Sequence, residues 1–215
     1  MPGALRRSAA PSEPPIVESS EKAVLDRIRE AGIALAIWRR QPPSGLAHWL
    51  DALPAEHLPE GRFIGPAACV PARLAALCDL VGLDDSPQRQ SLIGDIARLA
   101  RAFATLIGSR DMDLRLEAID HDSCWRFHRD HVGYRLNATY RGPGTQWPSL
   151  TNAARASRSQ RRYRGPLNEM PRFAVGVFKG ARLAGEAAVL HRSPPVGASG
   201  QTRLFLCVNE VDDDG

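Results

Sequence analysis

A chain of 215 residues with 43% apolar side chains can fill one hydrophobic core, as a single domain or a domain with a sizeable extension. Its net charge of +4 permits an anionic ligand without demanding nucleic acid, and the basic residues are almost all arginine, Lys22 and Lys179 being the only lysines. Four scattered cysteines with no CxxC pair argue against a zinc ribbon, a thioredoxin-type site and a small disulfide scaffold. No apolar run reaches the roughly 18 residues that a membrane-spanning helix needs.

In chain order, Arg6 and Arg7 have no apolar segment behind them and so do not read as a secretory signal. Pro and Ser dominate residues 8–20, which predicts a disordered segment over residues 1–20; with neither a signal nor a spanning segment read in the sequence, the cytoplasm is the expected location. Ser19-Ser20-Glu21 then precedes Val24, Leu25 and Ile28, a capped short helix that Gly32 ends. Ile33 to Trp38 reads as a strand, and Pro42, Pro43 and Gly45 break the chain before a short helix over Leu46 to Leu53. Residues 54–70 read as loop with room for a strand, and Pro71 to Val81 as helix.

The clearest helix starts at Ser86-Pro87, carries Leu92, Ile93, Ile96, Leu99, Ala100, Phe103, Leu106 and Ile107 at helical spacing, and stops at Gly108. Residues 21–110 are therefore expected to be a mainly helical region without an active site, His48 and His57 lying at the surface or an interface.

From Met112 the period changes. Leu114, Leu116 and Ile119 alternate with charged residues, and further strands are predicted at Phe173–Phe178, Glu186–Leu190 and Leu204–Val208, with a turn at Lys179-Gly180. Short strands at close intervals suggest a barrel or jelly roll rather than βαβ units. The polar stretch 148–169 reads as a connection. Its arginines (Arg155, Arg158, Arg161, Arg162, Arg164) suggest a mobile loop over the barrel mouth, and with Tyr163 as the one interleaved aromatic they make a poor nucleic-acid surface.

The chemistry concentrates between Cys124 and Trp147. His128 and Asp130 stand two residues apart, a spacing that points both to one face of an extended segment. An imidazole beside a carboxylate is two-thirds of the facial triad that holds non-haem Fe(II) with open positions. The third ligand must come from downstream, where His191 is the one remaining histidine. His131 is an alternative to His128 if the register differs, and His121 is expected to face solvent. Cys124 reads as a buried structural cysteine or as a soft ligand favouring zinc. Trp125 and Trp147 read as pocket-mouth or core residues. Arg135 reads as a substrate anchor or a partner of Asp122.

The order His128-x-Asp130, His191, Arg203 resembles the Fe(II)- and 2-oxoglutarate-dependent oxygenases, which carry HxD, a distal histidine and a following basic residue on a double-stranded β-helix. Tyr140 with Gly142-Pro-Gly-Thr145 is similar to the tyrosine strand and glycine-rich turn of the prolyl-hydroxylase-like members, although the turn is altered, and Arg203 lies twelve residues after His191 with Arg192 a nearer guanidinium. The resemblance covers roughly residues 113–208. It implies an α+β chain: a C-terminal double-stranded β-helix (jelly-roll or cupin-like) metal-binding core over 111–209, a mainly helical N-terminal portion, and an acidic tail over 210–215. It further implies His128, Asp130 and His191 as ligands of Fe(II) or zinc, Arg203 pairing with the distal carboxylate of 2-oxoglutarate, and Tyr140 or Thr145 adding a hydroxyl.

The strings FHxDxxxxRLxxTYxGPGTxW, FKG and HRSPP also resemble a bacterial family of unknown function whose members often sit beside CobW-like GTPases in zinc-responsive gene neighbourhoods. That resemblance implies zinc handling with such a GTPase as an alternative to oxygenation; an arginine-rich binding module with a decayed site is a third reading.

Overall fold

The strongest apolar pattern of the chain forms its longest helix. It follows the helices α1 (Leu46–Ala52) and α2 (Val70–Leu80) as α3 (Pro87–Ile107): Ser86 Oγ accepts from the Arg89 N–H at 3.2 Å, Pro87 sits in the first turn, and Gly108 at φ 69° closes it. Leu92, Ile96, Leu99 and Phe103 bury their side chains with α1, α2 and a 3-10 helix over Lys22–Arg29 in one apolar cluster. Burial of each such side chain contributes about 1.5–3 kcal/mol.

The computed structural model describes residues 16–211 and shows a mixed α+β fold on a large, mostly antiparallel sheet. Its strands are β1 (Ile16–Ser19), β2 (Leu35–Trp38), β3 (Gly61–Pro66), β4 (Asp111–Ile119) and β5 (Tyr134–Arg141). Two short strands, β6 (Gln146–Pro148) and β7 (Leu167–Glu169), form a separate ribbon, and β8 (Val175–Lys179) and β9 (Arg203–Glu210) return to the large sheet. The seven-stranded order is β1-β2-β8-β5-β9-β4-β3, with β1 and β2 parallel and every other neighbouring pair antiparallel. Among the described residues no helix is long and apolar enough to cross a membrane.

The period of two along each strand divides the sheet into two chemistries. On β5, Leu136, Ala138 and Tyr140 join the helical layer, and on β9 so do Leu204, Leu206 and Val208. Their alternates, Arg135, Asn137 and Thr139 on β5 and Arg203, Phe205, Cys207 and Asn209 on β9, point the other way. Over that second face lies a thin layer of short segments. Single bridges join His128 to His191 and Gln146 to Arg192, which extends the β6–β7 ribbon to four segments. Trp147, Met170 and Val189 from this layer pack on Leu35, Ile37 and Phe178 of the large sheet.

Residues 21–110 are mainly helical and also contribute strands to the sheet: β2 pairs with β8 and β3 with β4, so both flanks of the sheet come from the N-terminal half. Three expectations are corrected. The predicted disordered segment includes β1, which hydrogen-bonds along the exposed edge of β2; residues 1–15 lie outside the described residues, as do 212–215 of the acidic tail. Glu186–Leu190 is not a strand: a 3-10 turn covers Gly185–Ala187, and pairing begins only at His191. The arginine-rich stretch is not a loop but a helix, α4 (Leu150–Ser159), followed by a 3-10 turn. It docks through the small side chains Ala153 and Ala156 against Phe127, Tyr163 and Leu190.

Candidate metal centre

His128 and His191 are tied to each other by backbone as well as by chemistry. Each N–H donates to the other's carbonyl at 2.9 Å, which sets the two imidazoles 4.8 Å apart between ring centres. Each Nδ1 meets a main-chain carbonyl, His128 that of Arg126 at 2.7 Å and His191 that of Val189 at 3.0 Å. In the neutral rings Nδ1–H donates there and Nε2 keeps its lone pair; in a protonated ring Nε2–H turns to Asp130 instead. Both Nε2 atoms face Asp130, at 3.5 Å (His128 to Oδ1) and 3.3 Å (His191 to Oδ2). One donor atom from each residue lies within 4.8 Å of the others.

Asp130 is buried, and burial by itself raises its carboxyl. The charge of His191, the contacts from both histidines and the nearby Arg135 outweigh that and hold it well below the usual carboxylate range. Its Oδ1 accepts from Arg135 Nη1, and Arg135 is steadied from behind by Asn209, whose Oδ1 accepts from Nε at 2.7 Å. Arg135 therefore pairs with Asp130 rather than Asp122, which takes Arg161 (3.5 Å) and the Gly197 N–H (2.9 Å) instead. With His191 neutral, Asp130 Oδ2 is buried and has no hydrogen-bond donor, a costly state for a carboxylate oxygen unless a cation meets it. His128 is pulled up from its ordinary value by its hydrogen bond to Asp130, against burial. Two imidazoles and a carboxylate suit Fe(II) or zinc, so these three residues fit a divalent metal and are the ones that would hold it.

Beside the cluster is a narrow cavity of about 90 Å³ between His128, His191 and the polar face of the sheet. Arg203 lies at its back, fully buried. Its Nε donates to the Pro143 carbonyl (2.8 Å), Nη1 to Ser193 Oγ (3.1 Å), and Nη2 to Thr139 Oγ1 (3.1 Å) and Thr145 Oγ1 (3.3 Å). These acceptors are all neutral, and burial pulls the guanidinium down to about 10. A buried cation bonded only to neutral oxygens is an environment short of an anion. Thr145 and Ser193 stand between it and the cavity, whose wall they help form.

The structure thus brings His128, Asp130, His191, Arg135, Arg203 and Thr145 together and leaves three sequence candidates apart. Tyr140 shares the parity of Leu136 and Ala138 and so points into the helical layer, where its hydroxyl donates to Asp95 Oδ2 at 2.6 Å. Trp147 is packed between the layers with Met170 and Phe178. Trp125 borders a separate cavity, under the Arg161 guanidinium at 4.2 Å. Cys124 is exposed rather than buried, at φ 48° on the cavity rim, and His121 and His131 are exposed. Sequence reasoning missed Asn137, Thr139 and Ser193. Asn137 Oδ1 is buried at the cavity without a donor. Their signal was the alternation itself: Asn137 and Thr139 interleave Leu136, Ala138 and Tyr140, and Ser193 follows His191 by two.

A family model described as a protein of unknown function, DUF1826, matches residues 19–209. The chain belongs to that family. No curated protein matches this DUF1826 chain in sequence. Among solved structures it is similar to a dioxygenase for auxin oxidation from Arabidopsis thaliana bound to 2-oxoglutarate, at 13% identity and a TM-score of 0.45 over 94% of each chain. It is also similar to the Kdo hydroxylase KdoO, a non-haem Fe(II) dioxygenase, at 11% identity and a TM-score of 0.43 over 90% of this chain and 88% of that one. A Pseudomonas putida prolyl-4-hydroxylase matches at 18% identity and a TM-score of 0.34 over 79% and 94%.

Proposed function

We propose that the protein is a metal-dependent oxygenase of the Fe(II)/2-oxoglutarate type, with His128, Asp130 and His191 as metal ligands and Arg203 as the anchor of the oxoacid. The observation that carries this reading is the orphaned Asp130 Oδ2 between two imidazoles whose Nδ1 atoms are already engaged. The buried guanidinium of Arg203, bonded only to neutral oxygens behind Thr145 and Ser193 of the cavity wall, supports the oxoacid. The large sheet and the four-segment layer facing it are read as the two halves of a double-stranded β-helix.

When bound, Fe(II) with 2-oxoglutarate supplies oxidation of a substrate by dioxygen. The chain's own residues do the rest. The backbone bridge orients the imidazoles, Arg135 keeps Asp130 ionised with one oxygen turned to the ligand position, and Arg203 with Thr145 and Ser193 receives a carboxylate at the back of the cavity. Phe205 under the Arg203 guanidinium (4.0 Å) keeps that end of the cavity dry.

Anaerobic titration of the apoprotein with Fe(II) and then 2-oxoglutarate tests this through the visible charge-transfer band of a chelated oxoacid. The band is expected in the wild type and absent in His191→Ala. In Arg203→Lys, which cannot reach the same acceptors, it should need about tenfold to a hundredfold more oxoacid, equivalent to losing about 1.5–3 kcal/mol of charged hydrogen bonding. Absence of the band, together with tight zinc binding that His128→Ala abolishes, would sink the oxygenase reading and favour metal handling.

A further inference from the structure

Next to the metal-site cavity is a second, larger one of about 380 Å³, the size range that accepts small organic ligands. Arg192 borders both, so the two spaces share a wall. The charge in the second cavity is lopsided. Its carboxylate, Asp122, is taken up by Arg161 and the Gly197 N–H. Arg192 is fixed by neutral partners, donating from Nε and Nη2 to Gln146 Oε1 (3.2 and 3.1 Å) and lying over the Phe127 ring at 4.6 Å. Arg164 is likewise fixed by main-chain carbonyls, Nη1 donating to those of Arg161 (2.6 Å) and Tyr163 (3.0 Å). Arg192 and Arg164 line the same cavity, so the two guanidiniums face one space. Trp125 holds Arg161 at the rim. Two like charges kept together by uncharged acceptors form a site that an oxyanion relieves.

We propose that this cavity is the anion pocket of the substrate: a phosphate or carboxylate group of a small organic molecule seats between Arg192 and Arg164 while the part to be oxidised reaches past Arg192 to the metal-site cavity. The second half of that statement rests on the oxygenase reading; the pocket itself does not. The metal-site cavity, at about 90 Å³, is too narrow to hold the oxoacid and a bulky substrate together, so most of a substrate has to lie outside it, and the adjoining space offers both volume and charge.

The experiment is a titration of the metal-free protein, read by quenching of tryptophan fluorescence from Trp125. Inorganic pyrophosphate is used in one arm, citrate in a second and a single-stranded oligonucleotide in a third. Saturable binding of pyrophosphate or citrate is expected, the tighter of the two identifying the oxyanion. It should weaken at least about tenfold in Arg164→Gln and in Arg192→Gln, and stay within about twofold in His128→Ala and in the exposed α4 pair Arg155→Gln/Arg158→Gln. Equal weakening in the α4 pair means diffuse surface charge, and loss in His128→Ala means an anion on the metal ligands; either overturns the proposal. So does oligonucleotide binding that exceeds both small anions. Because no metal is present, absent anion binding beside an intact charge-transfer band refutes this proposal alone, while intact anion binding without the band refutes only the oxygenase reading.

Discussion

Replacing Tyr140 with phenylalanine asks which side of β5 its hydroxyl serves. In the structure that hydroxyl donates to Asp95 Oδ2 at 2.6 Å, deep in the helical layer, where Asp95 also takes both arms of Arg40 at 2.6 and 2.7 Å. Removal leaves Asp95 fully ionised and still paired, and the ring keeps its edge contact with Phe173 at 5.7 Å. The loss is therefore one hydrogen bond to a buried charge, about 1.5–3 kcal/mol. At about 2–4 °C per kcal/mol for a chain of this size, the melting temperature should fall by roughly 3–12 °C. The Kd for 2-oxoglutarate in the Fe(II) titration should stay within about twofold. Calorimetric melting and the charge-transfer band measure the two quantities separately. An unchanged melting temperature with lost oxoacid binding would put the hydroxyl on the cavity side and refute the parity by which the sheet is read.

Asp95 also predicts an acid limb. Burial pushes its carboxyl up, but the Arg40 pair, with Tyr140 and Arg98, outweighs burial and holds it below its ordinary value. A depressed folded value means that the stabilisation is complete above the unfolded value, near 3.9, and drains as pH falls through the folded one. Asp95→Asn should cost about 3–5 kcal/mol at neutral pH by stranding the buried Arg40, and should flatten the acid limb. Parallel stability–pH curves for the two proteins in urea melts would contradict it. Gly144→Ala drives a new Cβ into the Met170 carbonyl group, a backbone obstacle that cannot swing aside. The turn carrying Pro143 and Thr145 must shift, so about 1–3 kcal/mol of stability and part of the oxoacid affinity should go together. A variant that melts like the wild type would show that the turn has slack.

What was legible in the sequence was whatever is encoded locally. The cap at Ser86, the proline after it, the apolar spacing to Leu106 and the stop at Gly108 define α3 without reference to anything distant. The alternation from Met112 to Ile119 defines β4 in the same way. Strand pairing left no such mark. That β2 lies beside β8, and β3 beside β4, depends on contacts between distant segments, so the N-terminal half reads as mainly helical although it flanks the sheet. Helix α4 is easily read as a loop because it is polar on average and its buried face carries only alanines, although Ala153 and Ala156 recur at helical spacing beside the exposed Arg155 and Arg158. At the candidate metal centre the residue types and spacing point to His128, Asp130 and His191, whereas Tyr140, implied only by the family resemblance, shares its parity with Leu136 and Ala138 and so faces the helical layer.

The mutual hydrogen bonds between the main chains of His128 and His191 have a further meaning for how a cell would load this socket. Two of its three donors are aligned by strand pairing before any ion arrives, so binding requires little rearrangement of the polypeptide. A pair aligned in this way offers the same imidazoles to any divalent ion, and intrinsic preference among them would follow the general order in which copper and zinc outrank iron. For the proposed metal site, selection of the working ion would fall to its supply during folding, and protein recovered from a host rich in zinc would have its metal content measured before any assay with Fe(II).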